Sequence, residues 1–209
     1  MKRNQYTLGK PISFKGNGLH SGIPVTITMR PAPAGSGIIF RRIDLTGAPE
    51  VPAKSEFVTN TLRATTLERG GAKVFTVEHI LSALFALRID NCILEMDAPE
   101  PPVADGGALT FSQMILEAGI MELEEQTDIL TLETSVAVYE DNKFITALPY
   151  DGLRITFTSI NPHPLLGTQM KDFTIDKETY IREIAPSRTI GFTWELEAMR
   201  QMGLGKGGT

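Results

Sequence analysis

Apolar and polar residues alternate along the first half of the 209-residue chain. In Val25-Thr26-Ile27-Thr28-Met29 the apolar side chains fall on every second position, the period of a strand with one wet face. Ile12-Ser13-Phe14 and Ile38-Ile39-Phe40 read as further strands. Gly16-Asn17-Gly18, Pro31-Ala32-Pro33 and Gly35-Ser36-Gly37 mark the turns between them. These strands are expected to meander antiparallel. After Gly70-Gly71 and the short run Lys73-Val74-Phe75 the period lengthens: Val77, Ile80, Leu81, Leu84 and Phe85 recur at helical spacing, with Thr76 as the expected N-cap. Asn91 to Met96 reads as a strand again, and Phe111 to Ala118 as a second helix that Gly119 ends. Strands followed by helices predict an α+β fold with helices on one face of a sheet.

The pattern breaks between Glu122 and Asp128, where the chain turns acidic and loses its apolar period. A domain boundary is expected there. Strand patterns resume at Leu130 to Val138, Phe144 to Leu148 and Leu153 to Phe157, followed by helix-like runs at Lys177 to Ile184 and Trp194 to Met202. Two similar α+β domains are therefore expected, residues 1–125 and 126–209, without a clear sequence repeat. The second ends in Gly203-Leu204-Gly205-Lys206-Gly207-Gly208-Thr209, which reads either as a flexible tail or as a chain cut at a loop. A second sheet left open at that point would have an unpaired edge, so the first domain is expected to be the more stable of the two.

Composition narrows the function. With 42% hydrophobic and 22% charged residues the chain can bury a core, and its net charge of -5 includes no basic cluster larger than Arg41-Arg42. A nucleic-acid partner is not expected. No apolar stretch follows Met1 to Tyr6, and none approaches the length of a membrane span. With Cys92 as its one cysteine, the chain is expected to stay in the cytoplasm. Cys92 lies among apolar neighbours with no base at hand, which argues against a nucleophile.

Glu78 and His79 fall in the first turn of the predicted helix, off its apolar stripe. A neutral imidazole there can bind a metal, and the adjacent carboxylate can take a proton from water. Taken alone, the pair reads first as a solvated first turn, where the helix dipole favours acidic residues.

Wider context supplies a stronger signal. Gly18-Leu19-His20-Ser21-Gly22, Arg30-Pro31-Ala32-Pro33-Ala34, Thr76-Val77-Glu78-His79-Ile80-Leu81-Ser82-Ala83-Leu84, Ile89-Asp90-Asn91 and Ala98-Pro99-Glu100-Pro101-Pro102-Val103-Ala104-Asp105-Gly106 stand in this order. Together they resemble the signature segments of the zinc-dependent UDP-3-O-acyl-N-acetylglucosamine deacetylases of bacterial lipid A biosynthesis. Ser187-Arg188-Thr189-Ile190-Gly191-Phe192 is similar to that family's Arg-Thr-Phe-Gly-Phe element, with Ile190 in place of the usual aromatic residue.

The resemblance implies a two-domain enzyme with its active site between the domains. Zn2+, with Fe2+ as the alternative, would activate a water for attack on the acetamide of a nucleotide sugar carrying one acyl chain. His79 matches a zinc ligand, Glu78 the general base, and Thr189 a hydroxyl that stabilises the oxyanion. His20 matches a segment at the mouth of the site, with a solvent-facing turn histidine as the other reading. Leu62 matches a ligand-contacting insert, with a buried strand residue as the other reading. Phe192 belongs to the element before the acyl passage, and His163 matches a His-Pro element near the nucleotide. Trp194, Leu196, Met199 and Met202 read either as that passage or as core packing. The family's other ligands, a His-x-x-x-Asp pair, have no match here: the residues four beyond His20, His79 and His163 are Pro24, Ala83 and Gly167. The 209 residues alone are thus expected to be inactive, as a C-terminally incomplete enzyme or a non-catalytic binding module. Some members of the family continue into an acyl-carrier dehydratase domain, so a fusion is compatible with the resemblance.

Overall fold

The computed structural model describes residues 2–208. Strand β1 (Lys2–Leu8) leads into a hairpin of β2 (Ile12–Asn17) and β3 (Pro24–Pro31), followed by β4 (Ile38–Arg42) and β5 (Glu50–Pro52). Next come β6 (Val58–Asn60), β7 (Thr66–Arg69) and β8 (Ala72–Phe75), a small antiparallel sheet. Helix α1 (Glu78–Ala86), strand β9 (Cys92–Met96), helix α2 (Leu109–Ala118) and strand β10 (Ile120–Asp128) complete this half.

The main sheet has the order β2-β3-β9-β4-β5. The expected meander is corrected here: β9 inserts between β3 and β4 and runs parallel to β4, while the other neighbours are antiparallel. The alternation read from the sequence sorts its two faces. Ile27, Met29, Phe40, Val51, Leu94 and Met96 join the core with the helices, and Val25 is buried on the same strand face as Ile27 and Met29. On the other face Arg30, Glu95, Arg41 and Glu50 alternate in sign across β3, β9, β4 and β5 and form a ladder of ion pairs. Both helices contribute to the core, α1 through Ile80, Ala83 and Leu84 and α2 through Phe111, Met114, Ile115 and Ala118. Phe85, assigned to the apolar stripe, is instead 69% exposed.

The acidic segment expected to be a boundary is strand β10, antiparallel to β1. A register shift between Asn4 and Tyr6 interrupts that pair, and the Ile89-Asp90-Asn91 segment fills the gap. The Asp90 carboxylate accepts the Tyr6 N–H at 2.8 Å and an N–H from each terminal guanidinium nitrogen of Arg3 at 2.7 Å. The Asn91 side chain accepts from Gly37 N–H and donates to Gln5. Within the described contacts, this signature segment ties β1 to the sheet.

The second half contains two antiparallel hairpins, β11 (Val136–Glu140) with β12 (Lys143–Ala147), and β13 (Arg154–Ile160) with β14 (Thr168–Thr174). The expected strand from Leu130 thus begins only at Val136. The Asp176 carboxylate accepts the Thr179 N–H and caps the single turn α3 (Lys177–Thr179), which continues as a wide π turn over Tyr180–Ile184. A 3-10 turn at Thr193–Glu195 precedes α4 (Leu196–Gln201), which buries none of its residues. Tyr180 and Ala185 reach across and join the core of the first half. The fold is α+β, with mostly antiparallel sheets and few helices, and no helix among the described residues is long and apolar enough to cross a membrane.

Cys92 opens β9 and is fully buried, which pushes its thiol up from an ordinary value of 9.0 to about 12. Above pH 9 the unfolded chain sheds a proton that the folded chain keeps. Stability should therefore fall as pH rises through this window, by up to about 1.4 kcal/mol per pH unit from this group. Urea unfolding at pH 8.5 and 10.5 should show a shallower pH dependence in Cys92→Ala than in the parent; an identical dependence would refute the assignment.

Candidate active site

Helix α1 begins at Glu78 without a side-chain cap, so the expected role of Thr76 is corrected. Thr76 has a φ of 56°, and its hydroxyl donates to the buried Glu100 carboxylate at 2.7 Å and accepts no N–H from the helix. The helix turn places Glu78, His79 and Ser82 along one side of a cleft of about 210 Å³. Ala108, before α2, and Tyr180, Ile184 and Ser187 form the remainder of its lining. Close backbone contact builds that wall. Ala108 N–H donates to the Ala185 carbonyl at 2.9 Å, and a Cβ on Gly107 would lie 2.7 Å from the Ser187 carbonyl oxygen. Burial raises the Tyr180 phenol above its ordinary value, while its hydrogen bond with Ser82 (2.8 Å) pulls the other way.

Three of the expected residues gather around the loop between β6 and β7. Thr65 N–H donates to one Glu78 carboxylate oxygen at 3.1 Å, anchoring the loop to the helix start. Leu62 is 66% exposed on that loop, which overturns the buried-strand reading, and its N–H donates to the Asn60 side chain. His20 is 4% exposed and is no solvent-facing turn residue. Its Nδ1 accepts the Gly205 N–H at 3.3 Å, so the network assigns the ring proton to Nε2, 3.3 Å from the Arg63 carbonyl. Gly207 N–H adds a bond to the Leu19 carbonyl; the glycine-rich end is docked on the His20 turn, not loose. Arg63 closes the same corner by pairing with Glu195 at 2.6 Å, which holds Glu195 below the usual carboxylate range.

Thr189 lies two residues beyond the cleft wall, exposed, with its N–H bonded to the Gly106 carbonyl at 2.9 Å. Phe192 does not line the cleft. It stacks on Trp194 at 4.5 Å with the rings 6° from parallel, and the His163 ring lies nearly parallel to both. Core packing does not describe this region: Trp194 and Met202 are more than half exposed and Leu196 is 39% exposed.

Among the described residues, no three His, Cys, Asp or Glu side chains converge as a metal site. Catalytic zinc takes three protein ligands. His79 offers one nitrogen, so these residues do not make up such a site, although its imidazole and the Glu78 carboxylate share one cleft. Reading by motif passed over Glu100, Tyr180, Ser82, Ser187 and the Arg63–Glu195 pair. Glu100, Ser82 and Ser187 stood in the segments that carry the resemblance, and Glu100 had a further signal as a carboxylate set among Pro99, Pro101 and Pro102.

Comparison with known proteins agrees with the segments that carry the resemblance. The sequence model of the family described as UDP-3-O-acyl N-acetylglycosamine deacetylase matches residues 5–209. A UDP-3-O-acyl-N-acetylglucosamine deacetylase of Myxococcus xanthus is 42% identical over 206 residues, 99% of this chain and 66% of that protein. One from Legionella pneumophila is 41% identical over 207 residues, covering 98% and 68%. The bifunctional enzyme LpxC/FabZ of Chlorobaculum tepidum is 44% identical over 207 residues, 98% of this chain and 44% of that protein. The chain thus spans about two thirds of the length of the single-function relatives. A match of this extent, over all the segments that build the cleft, shows that the chain belongs to the UDP-3-O-acyl N-acetylglycosamine deacetylase family.

Proposed function

We propose that this chain supplies the proton-transfer group and one metal ligand of a cytoplasmic deacetylase. That enzyme hydrolyses the N-acetyl group of UDP-3-O-acyl-N-acetylglucosamine to acetate and the free amine, the committed step of lipid A biosynthesis. The observation that carries this reading is the placement of Glu78 and His79 side by side at the start of α1 in one cleft. One of the Glu78 oxygens accepts from Thr65 N–H, which fixes the carboxylate and leaves the other to take a proton from the water that attacks the acetamide carbon. The new C–O bond forms as the carbonyl π electrons move to oxygen, and the C–N bond then breaks with a proton delivered to nitrogen. Thr189 would donate its hydroxyl to the developing oxyanion. His79 would hold zinc, or iron(II), together with further donors that the described residues do not bring to it. His20 would stand at the mouth, Leu62 would contact substrate from its insert, and Phe192 would precede the acyl passage, along which Trp194, Leu196, Met199 and Met202 would lie. Within this reading residues 1–125 and 126–209 are two related domains flanking the site, and a fused dehydratase domain, as the Chlorobaculum tepidum relative's name describes, is compatible with it.

The test is a chimera joining residues 1–209 to the C-terminal third of the Myxococcus xanthus relative. Acetate release from UDP-3-O-acyl-N-acetylglucosamine is expected. A folded chimera that releases none would reject the proposal.

A further inference from the structure

Glu100 is 1% exposed, and no ion pair among the described residues includes it. A buried carboxylate is costly unless its lone pairs are filled, and here two distant elements fill them. His20 N–H donates to Oε1 at 2.9 Å and to Oε2 at 3.2 Å, and Ser21 N–H donates to Oε2 at 2.8 Å. Thr76 Oγ1 donates to Oε1 at 2.7 Å. The chain makes room for this arrangement: a Cβ on Gly18 would stand 2.3 Å from Glu100 Oε2. It also accepts strain for it, since a φ of 56° is the left-handed region that a β-branched residue such as Thr76 avoids. Thr76 lies two residues before Glu78 and three before His79, while the His20 ring contacts the loop that carries Thr65.

We propose that Glu100 is a positioning residue, an internal anion that holds the His20 turn and the entry to the Glu78-His79 helix in one frame. It acts through Thr76 and through the His20 and Ser21 backbone. The proposal rests on the reading of Glu78 and His79 given above. A carboxylate suits the position because charge-assisted bonds to converging donors are stronger than neutral ones, and because its two oxygens can serve both elements at once.

Hydrogen exchange resolved by NMR on the 209-residue chain, with kinetics on the chimera, tests it. Glu100→Leu orphans the His20 and Ser21 amides, and their exchange should rise roughly 10- to 100-fold relative to that of α2. Glu100→Gln, which keeps the shape and one acceptor oxygen, should recover part of the protection. Thr76→Val cuts the other link alone. It should leave His20 and Ser21 protected, displace the Glu78 and His79 amide resonances, and lower kcat in the chimera with KM within about twofold. Unchanged exchange at His20 and Ser21 in Glu100→Leu, or an equal loss in every element, would overturn the proposal. So would unmoved Glu78 and His79 resonances in Thr76→Val, the variant that decides the matter should Glu100→Leu not fold. If the parent chimera releases no acetate, the deacetylase reading fails, and the exchange and resonance results still decide the role of Glu100.

Discussion

Replacing Glu78 by Gln in the chimera is expected to lower kcat roughly 100- to 10,000-fold, the range for loss of a general base, with KM changed by no more than a few-fold. The side chain keeps its shape, and its remaining carbonyl oxygen can still accept the Thr65 N–H that anchors the loop between β6 and β7. The variant therefore separates proton transfer from loop placement. Steady-state rates across the pH range would show the loss directly. A Gln variant with near-parental kcat would mean that the carboxylate only ties down the loop, and the base would have to be sought elsewhere.

A comparably large effect on stability is expected at Phe111. Its ring is 1% exposed in α2, and it belongs to a core cluster with Leu94, Met96 and Leu84. Phe111→Ala should cost about 3–5 kcal/mol by lost burial and the cavity left behind, a large share of the stability of an ordinary domain. Phe85→Ala on α1 is the control. With 69% of that residue exposed, the change should stay within about 0.5 kcal/mol. Urea unfolding of the two variants measures the contrast; similar costs at both positions would contradict the packing described.

Much of this fold was legible because burial imposes a period. Val25 to Met29 alternates in sequence and in burial, and Ile80, Ala83 and Leu84 lie on the face that the helical spacing indicated. Strands β1 and β10 were not legible, for the converse reason. Most of the side chains of β10 face water on both sides, so no apolar alternation marks it, and its conformation follows from pairing with β1 and from the Asp90 clamp. The parallel neighbours β4 and β9 pair residues 54 apart in the chain, such as Ile38 with Cys92, and nothing local in either announces the other. At the site, the Glu78-His79 pair was legible only through the segments around it, since an acidic first turn is common on physical grounds alone. Thr76 misled for a specific reason. Its hydroxyl donates to a buried carboxylate twenty-four residues later, and its φ of 56° holds it outside the extended conformation that a helix cap takes. His20 is buried by a glycine-rich segment that composition alone described as loose, because three backbone N–H groups in it, of Gly205, Lys206 and Gly207, find partners on the His20 turn.

The central claim is that the start of α1 carries half of a metal-dependent deacetylase site. Metal bound per chain, measured on the purified chimera and on its His79→Ala variant, tests it most directly. One equivalent of zinc or iron in the parent chimera and a loss of most of it in the variant is the expected result. Full metal content in the folded His79→Ala chimera would contradict it, because the metal would then be held without the one ligand assigned to this chain.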